Sequence, residues 1–183
     1  PISGLVGIGL AGLPVFWHLL RPYQKMRLLV FVNPNSDPLG AGYTIIQSKI
    51  AVGSGGLFGK GWLAGSQGQL NFLPEHHTDF IFSVIGEEFG LIGGLALVLL
   101  YFFIVHRAFR IAQLTNDMFG KAIAVGVAML VGVQASVNIM MTIGMMPVVG
   151  IPLPLVSYGG SSMLATLVAI GLLLNVGMRR STF

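Results

Sequence analysis

The sequence predicts an all-α polytopic membrane protein with four transmembrane helices and a long extracytoplasmic loop that carries an interfacial amphipathic helix. Three observations predict it. Charged residues make up 9% of the 183 residues and hydrophobic ones 54%, whereas a soluble domain carries about 25% charged residues because its surface must face water. Four segments are apolar and long enough to cross a hydrocarbon core of about 30 Å, which takes about 20 helical residues. Glycine, at 26 residues, suits a membrane bundle, since small residues let helices approach closely.

The expected spans are residues 2–20, 80–105, 122–146 and 153–178, with the loop at 21–79. The second contains Glu87 and Glu88; the third is uncharged, and so is the fourth, which opens on a Pro-Gly-rich stretch. In the long loop, Asn33 to Gly40 is dense in turn residues. Tyr43, Ile46 and Ile50 then fall on one side of a helix, with Thr44, Ser48 and Lys49 mainly opposite. This pattern predicts a helix lying in the membrane interface with that apolar side inward. Gly53 to Trp62 is a glycine-rich turn with an aromatic at headgroup depth. A loop longer than about 12–15 residues is usually functional, so this one is expected to hold the active site. Met146 to Pro152 makes a tight hairpin between the third and fourth spans.

Charge sets the orientation. Arg107, Arg110 and Lys121 flank the short loop between the second and third spans, and Arg179 and Arg180 end the last. Positive charge near short loops marks the cytoplasmic side, which puts the long loop outside. Its own Arg21, Lys25, Arg27, Lys49 and Lys60 count for less because long loops translocate largely regardless of charge. The 10 basic and 6 acidic residues are scattered without a basic run interleaved with aromatics, which argues against a nucleic-acid partner. With no cysteine, disulfide and thiolate chemistry are excluded. Pro1 lies in an apolar segment with neither a charged region nor a cleavage site before it, unlike a signal peptide. The expectation is a chain that begins midway through a larger protein.

Chemistry concentrates around Asp79. Pro74 suits the first turn of a helix. A helix from there presents Glu75, His76, Asp79, Ser83, Gly86, Glu87, Gly90 and Gly94 on one face. Asp79 falls at the water boundary and Glu87 about 12 Å deeper. A carboxylate inside a span is a functional candidate by default. Glu75 and Asp79 equally suit solvated carboxylates at a helix N-terminus. For Glu87 and Glu88 the alternative is a structural ion pair or a backbone hydrogen bond. With no Lys or Arg inside any of the four spans, one or both is expected to pair with a residue of the spans that precede this chain, or to stay protonated. His76 and His77 diverge by a helical step and fit metal ligation poorly. Lys49 and Lys60 suit either phosphate binding or plain solvation at the interface. Ser157-Tyr158-Gly159-Gly160-Ser161-Ser162 opens the last span from the same membrane face as Asp79. It either cradles an anion on free amides or simply lets the chain re-enter the membrane. Gln134, Ser136 and Asn138 are expected to hydrogen-bond neighbouring helices.

Several motifs together resemble one family. Asp37-Pro38-Leu39-Gly40-Ala41-Gly42-Tyr43, Gln47-Ser48, Gly53-Ser54-Gly55-Gly56, Phe72-Leu73-Pro74-Glu75-His76-His77-Thr78-Asp79-Phe80-Ile81-Phe82, Gly86-Glu87-Glu88 and Pro152-Leu153-Pro154-Leu155-Val156-Ser157-Tyr158-Gly159-Gly160-Ser161-Ser162 look like the shape, elongation, division and sporulation (SEDS) proteins. Gln47 to Ala51 with Gly59-Lys60-Gly61-Trp62 is more similar to the rod-shape elongation branch than to the division branch. The resemblance implies the C-terminal half of a multi-pass protein of the bacterial cytoplasmic (inner) membrane. It implies a peptidoglycan glycosyltransferase that polymerises lipid II on the extracytoplasmic face, with a class B penicillin-binding protein as partner and membrane lipids around it. The family's essential acidic residue maps onto Asp79. Lys49, Lys60, Glu75, His76, Ser157, Tyr158, Gly159, Gly160 and Ser161 form the expected substrate-binding set, and a divalent cation, Mg or Mn, is a candidate cofactor. A lipid II flippase and a scaffold recruiting the penicillin-binding protein are the alternatives. The chain alone, with only four spans, is expected to be inactive.

Overall fold

The computed structural model describes residues 18–34, 40–65 and 78–179. The chain divides into two compact units, residues 1–43 and 44–183. In the first, helix α1 (Pro22–Val32) begins with proline at its first position, where a missing N–H costs nothing. The Arg21 N–H donates to Gln24 Oε1 at 2.9 Å and closes the first turn. The predicted span at 2–20 lies almost wholly outside the described residues.

Helix α2 (Ala41–Ser54) leads into the second unit, which holds α3 (Ile81–Leu114), α4 (Met118–Thr142) and α5 (Gly160–Arg179). Among the described residues, α3, α4 and α5 are long and apolar enough to cross a membrane. They are the second, third and fourth predicted spans with shifted ends. The helix of the fourth starts at Gly160 rather than 153, because Pro152 and Pro154 lack an N–H and Leu155 holds a left-handed φ of 64°. At the turn between α3 and α4, Asp117 accepts from Phe119 N at 3.2 Å and Gly120 N at 2.9 Å, capping α4.

The seam between α3 and α4 is built from small residues: Ala108 and Ala112 on one side, Ala124, Ala128 and Ala135 on the other. Lipid tails are as apolar as leucine, so close backbone approach replaces hydrophobic burial as the cohesive term. Leu91, Leu95, Leu99, Phe102 and Phe103 of α3 stay exposed, as a lipid-facing surface requires.

Helix α3 is not straight. Gly90 has φ 66° and ψ −160°, a conformation open mainly to glycine. A Cβ on Gly94 would lie 3.5 Å from the ring of Phe82, although twelve residues of straight helix span about 18 Å. The segment before Gly90 therefore folds back on the one after it. The bend abolishes two bonds of a straight helix, Leu91 N–H to Glu87 O and Ile92 N–H to Glu88 O. The glycine-rich turn replaces both. Leu91 N donates to Gly56 O at 2.9 Å and Ile92 N to Leu57 O at 3.2 Å. Lys60 N donates to Glu87 O at 2.9 Å and Gly61 N to Glu88 O at 3.0 Å. All four groups are thereby satisfied, as a low-dielectric surrounding demands. Gly59 and Gly90 meet at the closest point, where a Cβ on Gly90 would overlap the Gly59 nitrogen.

One expectation is corrected here. Residues 78–80 form a turn and α3 begins only at Ile81, so Asp79 precedes the helix instead of sharing its face, while Ser83, Gly86, Glu87, Gly90 and Gly94 of the expected face are all buried. On α2, Ser48 is fully buried with Ile45 and Ala51, while Ile50 is exposed, as a side chain facing lipid would be. The Ser48 hydroxyl donates to Thr142 O at 2.6 Å and lies 2.6 Å from Ser83 Oγ, which donates to it in turn. A hydroxyl with both partners supplied is cheap to bury, and its small size lets α2 reach α3.

Candidate active site around Asp79

Asp79 occupies the turn that feeds α3 and is half-buried. Two side chains fix the backbone there. Asn138 Nδ2, on α4, donates to Asp79 O at 2.9 Å and to Ile151 O at 2.7 Å. Ser157 Oγ donates to Thr78 O at 2.6 Å and accepts from Leu153 N at 2.7 Å. Below them, Phe80 packs with Ala51 and Val148, and the Tyr101 hydroxyl donates to Pro154 O. The segment between α4 and α5 is thus tied to α3, α4 and the turn that carries Asp79.

The carboxylate faces that segment. A Cβ on Gly150 would stand 3.2 Å from Asp79 Oδ2, and Gly150 has φ 79°. Six residues earlier, Gly144 (φ 75°) lies under the aliphatic end of Lys49, whose side chain occupies the space a Cβ there would need. Lys49 itself is on the exposed side of α2. A cation and a carboxylate therefore rest on two glycines of one hairpin. Beside Asp79, a cleft of about 620 Å³ is lined by Ile81, Leu155, Ser157, Tyr158, Gly160 and Met163. Tyr158 is 82% exposed, and Ser161 lies exposed in the first turn of α5.

The expected substrate residues separate into groups. Tyr158, Gly159 and Gly160 line the cleft, Ser161 follows Gly160, Asp79 lies two residues before the lining residue Ile81, and Lys49 rests on Gly144 of the segment between α4 and α5. Ser157 belongs there too, but its hydroxyl is engaged by Leu153 and Thr78. Lys60 is elsewhere: its Nζ is 2.7 Å from Glu87 Oε1, and Glu87 is fully buried. Glu87 thus takes the structural ion pair that was its alternative reading, and the expectation of a partner in preceding spans does not hold for it. The glycine-rich turn supplies the cation, and it lies outside every apolar span, which is why a search of the spans missed it. Glu75 and His76 lie outside the described residues. Among the described residues no three of His, Cys, Asp and Glu converge.

Asn138 is the residue whose role the sequence understated. An amide in an otherwise apolar span needs partners, which pointed to neighbouring helices. The partners are instead two loop carbonyls, one of them Asp79's own.

The fold and site define a helical integral membrane protein that presents a carboxylate on an anchored turn next to an open cleft at one end of its bundle. The profile of the FtsW/RodA/SpoVE family, described as cell cycle protein, matches residues 2–182, and the chain belongs to that family. It is 49% identical over 181 residues to the peptidoglycan glycosyltransferase MrdB of Escherichia coli (strain K12), covering 96% of this chain and 49% of that protein. It is 46% identical over 177 residues to the peptidoglycan glycosyltransferase RodA of Treponema pallidum (strain Nichols), covering 97% and 41%. Among solved structures, it matches a chain of a peptidoglycan synthase complex described as coordinating polymerization and crosslinking. That match has a TM-score of 0.75 and 34% identity, and it covers all of this chain and 49% of the other. The chain spans about half the length of the curated relatives it matches.

Proposed function

We propose that these residues form part of a peptidoglycan glycosyltransferase that polymerises lipid II at the outer face of the bacterial cytoplasmic membrane during cell-wall elongation. The observation that carries this is Asp79, on a turn whose main-chain carbonyls are bonded by Asn138 and Ser157, two residues before Ile81 of the cleft lining. The names of the relatives support the same chemistry.

The acceptor is the 4-hydroxyl of a GlcNAc, a weak nucleophile that needs a base within hydrogen-bond reach. Asp79 takes its proton as the oxygen attacks C1 of the donor MurNAc. The bond from C1 to the pyrophosphate oxygen breaks, undecaprenyl pyrophosphate leaves, and the α linkage becomes β. Charge developing on the pyrophosphate needs cations and amides close by. Lys49 and the start of α5, from Gly159 to Ser161, are the groups on hand, with the exposed ring of Tyr158 as a surface for a sugar. The ammonium of Lys60 is engaged by Glu87, and the pyrophosphate is left to the others.

The partner is a class B penicillin-binding protein that crosslinks the new strand, as the crosslinking synthase complex among the relatives supports. A flippase would need a polar path through the bundle, which a buried carboxylate such as Glu87 could line. Buried against Lys60, Glu87 gives that alternative no support. The 183 residues alone are inactive on this reading, because a donor and an acceptor each bring an isoprenoid that needs its own apolar groove. A lipid II polymerisation assay on the complete protein tests the proposal: glycan strands are expected, and neither a flippase nor a scaffold makes them.

A further inference from the structure

We propose that Lys60 and Glu87 are positioning residues for Asp79: their ion pair pins the 56–61 turn into the break of α3 and so aims the half-helix that carries the base. The inference rests on the assignment of Asp79 as base and goes beyond it by naming what holds that base in register from the far side of the bend.

Helix α3 has two ways to satisfy its backbone. Straight, Leu91 and Ile92 donate to Glu87 and Glu88. Bent, the same four groups pair with Gly56, Leu57, Lys60 and Gly61. The backbone bonds of α3 therefore do not choose between the states, and the turn does. What retains the turn is the charge pair: a fully buried Glu87 carboxylate 2.7 Å from the Lys60 ammonium. Withdrawing Lys60 strands a buried charge, which is far costlier than losing a surface ion pair. Gly65 also leans on this pair, since a Cβ there would lie 3.0 Å from Glu87 Oε2.

The bent state matters because of what precedes it. Asp79 stands two residues before the half-helix that begins at Ile81. In a straight α3 Phe82 would move from contact with Gly94 to about 18 Å away along the axis, and Asp79 would leave Gly150 with it. Helix α2, which carries Lys49, is tied to the same half-helix through Ser48 and Ser83, whereas Ser161 sits on α5. Loss of the pair therefore acts first on the base that the half-helix carries.

The test uses the complete protein. Lys60→Met and Glu87→Gln are each expected to lower kcat by about 10²–10⁴-fold, the scale of losing a general base. Lys60→Arg is expected to keep activity, and the swap Lys60→Glu with Glu87→Lys to recover most of the loss. Spin labels at Val84→Cys and Leu99→Cys of this cysteine-free chain report the bend, because fifteen residues of straight helix span about 22 Å. Lys60→Met is expected to shift the label distance toward that straight value. A shifted distance with normal kcat overturns the positioning role, and so does an unshifted distance. A parent protein that makes no glycan overturns the Asp79 assignment and the positioning role with it, whatever the labels show.

Discussion

Asn138 gives one N–H to the carbonyl of Asp79 and the other to that of Ile151, at 2.9 and 2.7 Å, so a single buried amide joins the base to the hairpin it faces. Both donors are spent on carbonyls, and among the described residues its own Oδ1 has no donor. Asn138→Leu removes both bonds and leaves two carbonyls without partners at the site. Each unsatisfied group costs about 1–3 kcal/mol, so a lowered unfolding temperature is expected together with a fall in kcat. Wild-type kcat in a folded Asn138→Leu variant would remove Asn138 from the site.

Asp79→Asn changes the charge and little of the shape, and the bonds from Asn138 and Ser157 go to main-chain carbonyls that it leaves in place. Removal of a general base costs about 10²–10⁴-fold in rate. Glycan synthesis is expected to fall by that factor while expression, unfolding temperature and partner binding stay normal. Near-normal synthesis would exclude Asp79 as the base.

The glycines of the bend are separable from ordinary helix glycines. Gly59→Ala and Gly90→Ala put a Cβ at φ 80° and 66° and into the opposing backbone. The left-handed conformation alone costs about 1–2 kcal/mol, and the overlap adds to it. Gly126 and Gly171 lie inside α4 and α5 with nothing within 4 Å of an added Cβ. Alanine there is expected to be neutral or stabilising by up to about 1 kcal/mol. Thermal unfolding in detergent compares the four, and equal effects would mean that the bend is not held by these contacts.

Local pattern revealed what local physics determines. Apolar runs announced α3, α4 and α5 because lipid solvation acts on each residue separately, and a carboxylate at a span boundary drew attention to Asp79. The break between the last two spans was legible in its prolines and glycine, but not its length, since the connection runs over residues 143–159 rather than 146–152. The bend at Gly90 was not, since glycine permits φ 66° without requiring it and the requirement comes from Gly59, which is distant in sequence. The burial of Ser48 was not legible for the same reason. Ser48 is polar by itself, and only its bonds to Ser83 and to Thr142, 94 residues on, make burial favourable. The partner of Glu87 lies 27 residues upstream in a turn rather than in a span.

Orientation decides whether the site can meet its substrate, and the charges that predict it gather at one end. Thr115, Asn116, Asp117 and Arg179 line one cavity, so the α3–α4 turn and the end of α5 share a face. Asp79, Gly150 and Ser157 belong to the opposite ends of α3, α4 and α5. Lys121 and Arg110 flank the first group, and by the positive-inside tendency it is expected on the cytoplasmic side, with the carboxylate outside. The absence of cysteine makes the test clean. Tyr158→Cys and Asn116→Cys both occupy exposed positions. In intact cells a membrane-impermeant thiol reagent is expected to label position 158 and to reach position 116 only after permeabilisation. The reverse pattern would put Asp79 on the cytoplasmic side, where a polymerase of the outer face cannot work.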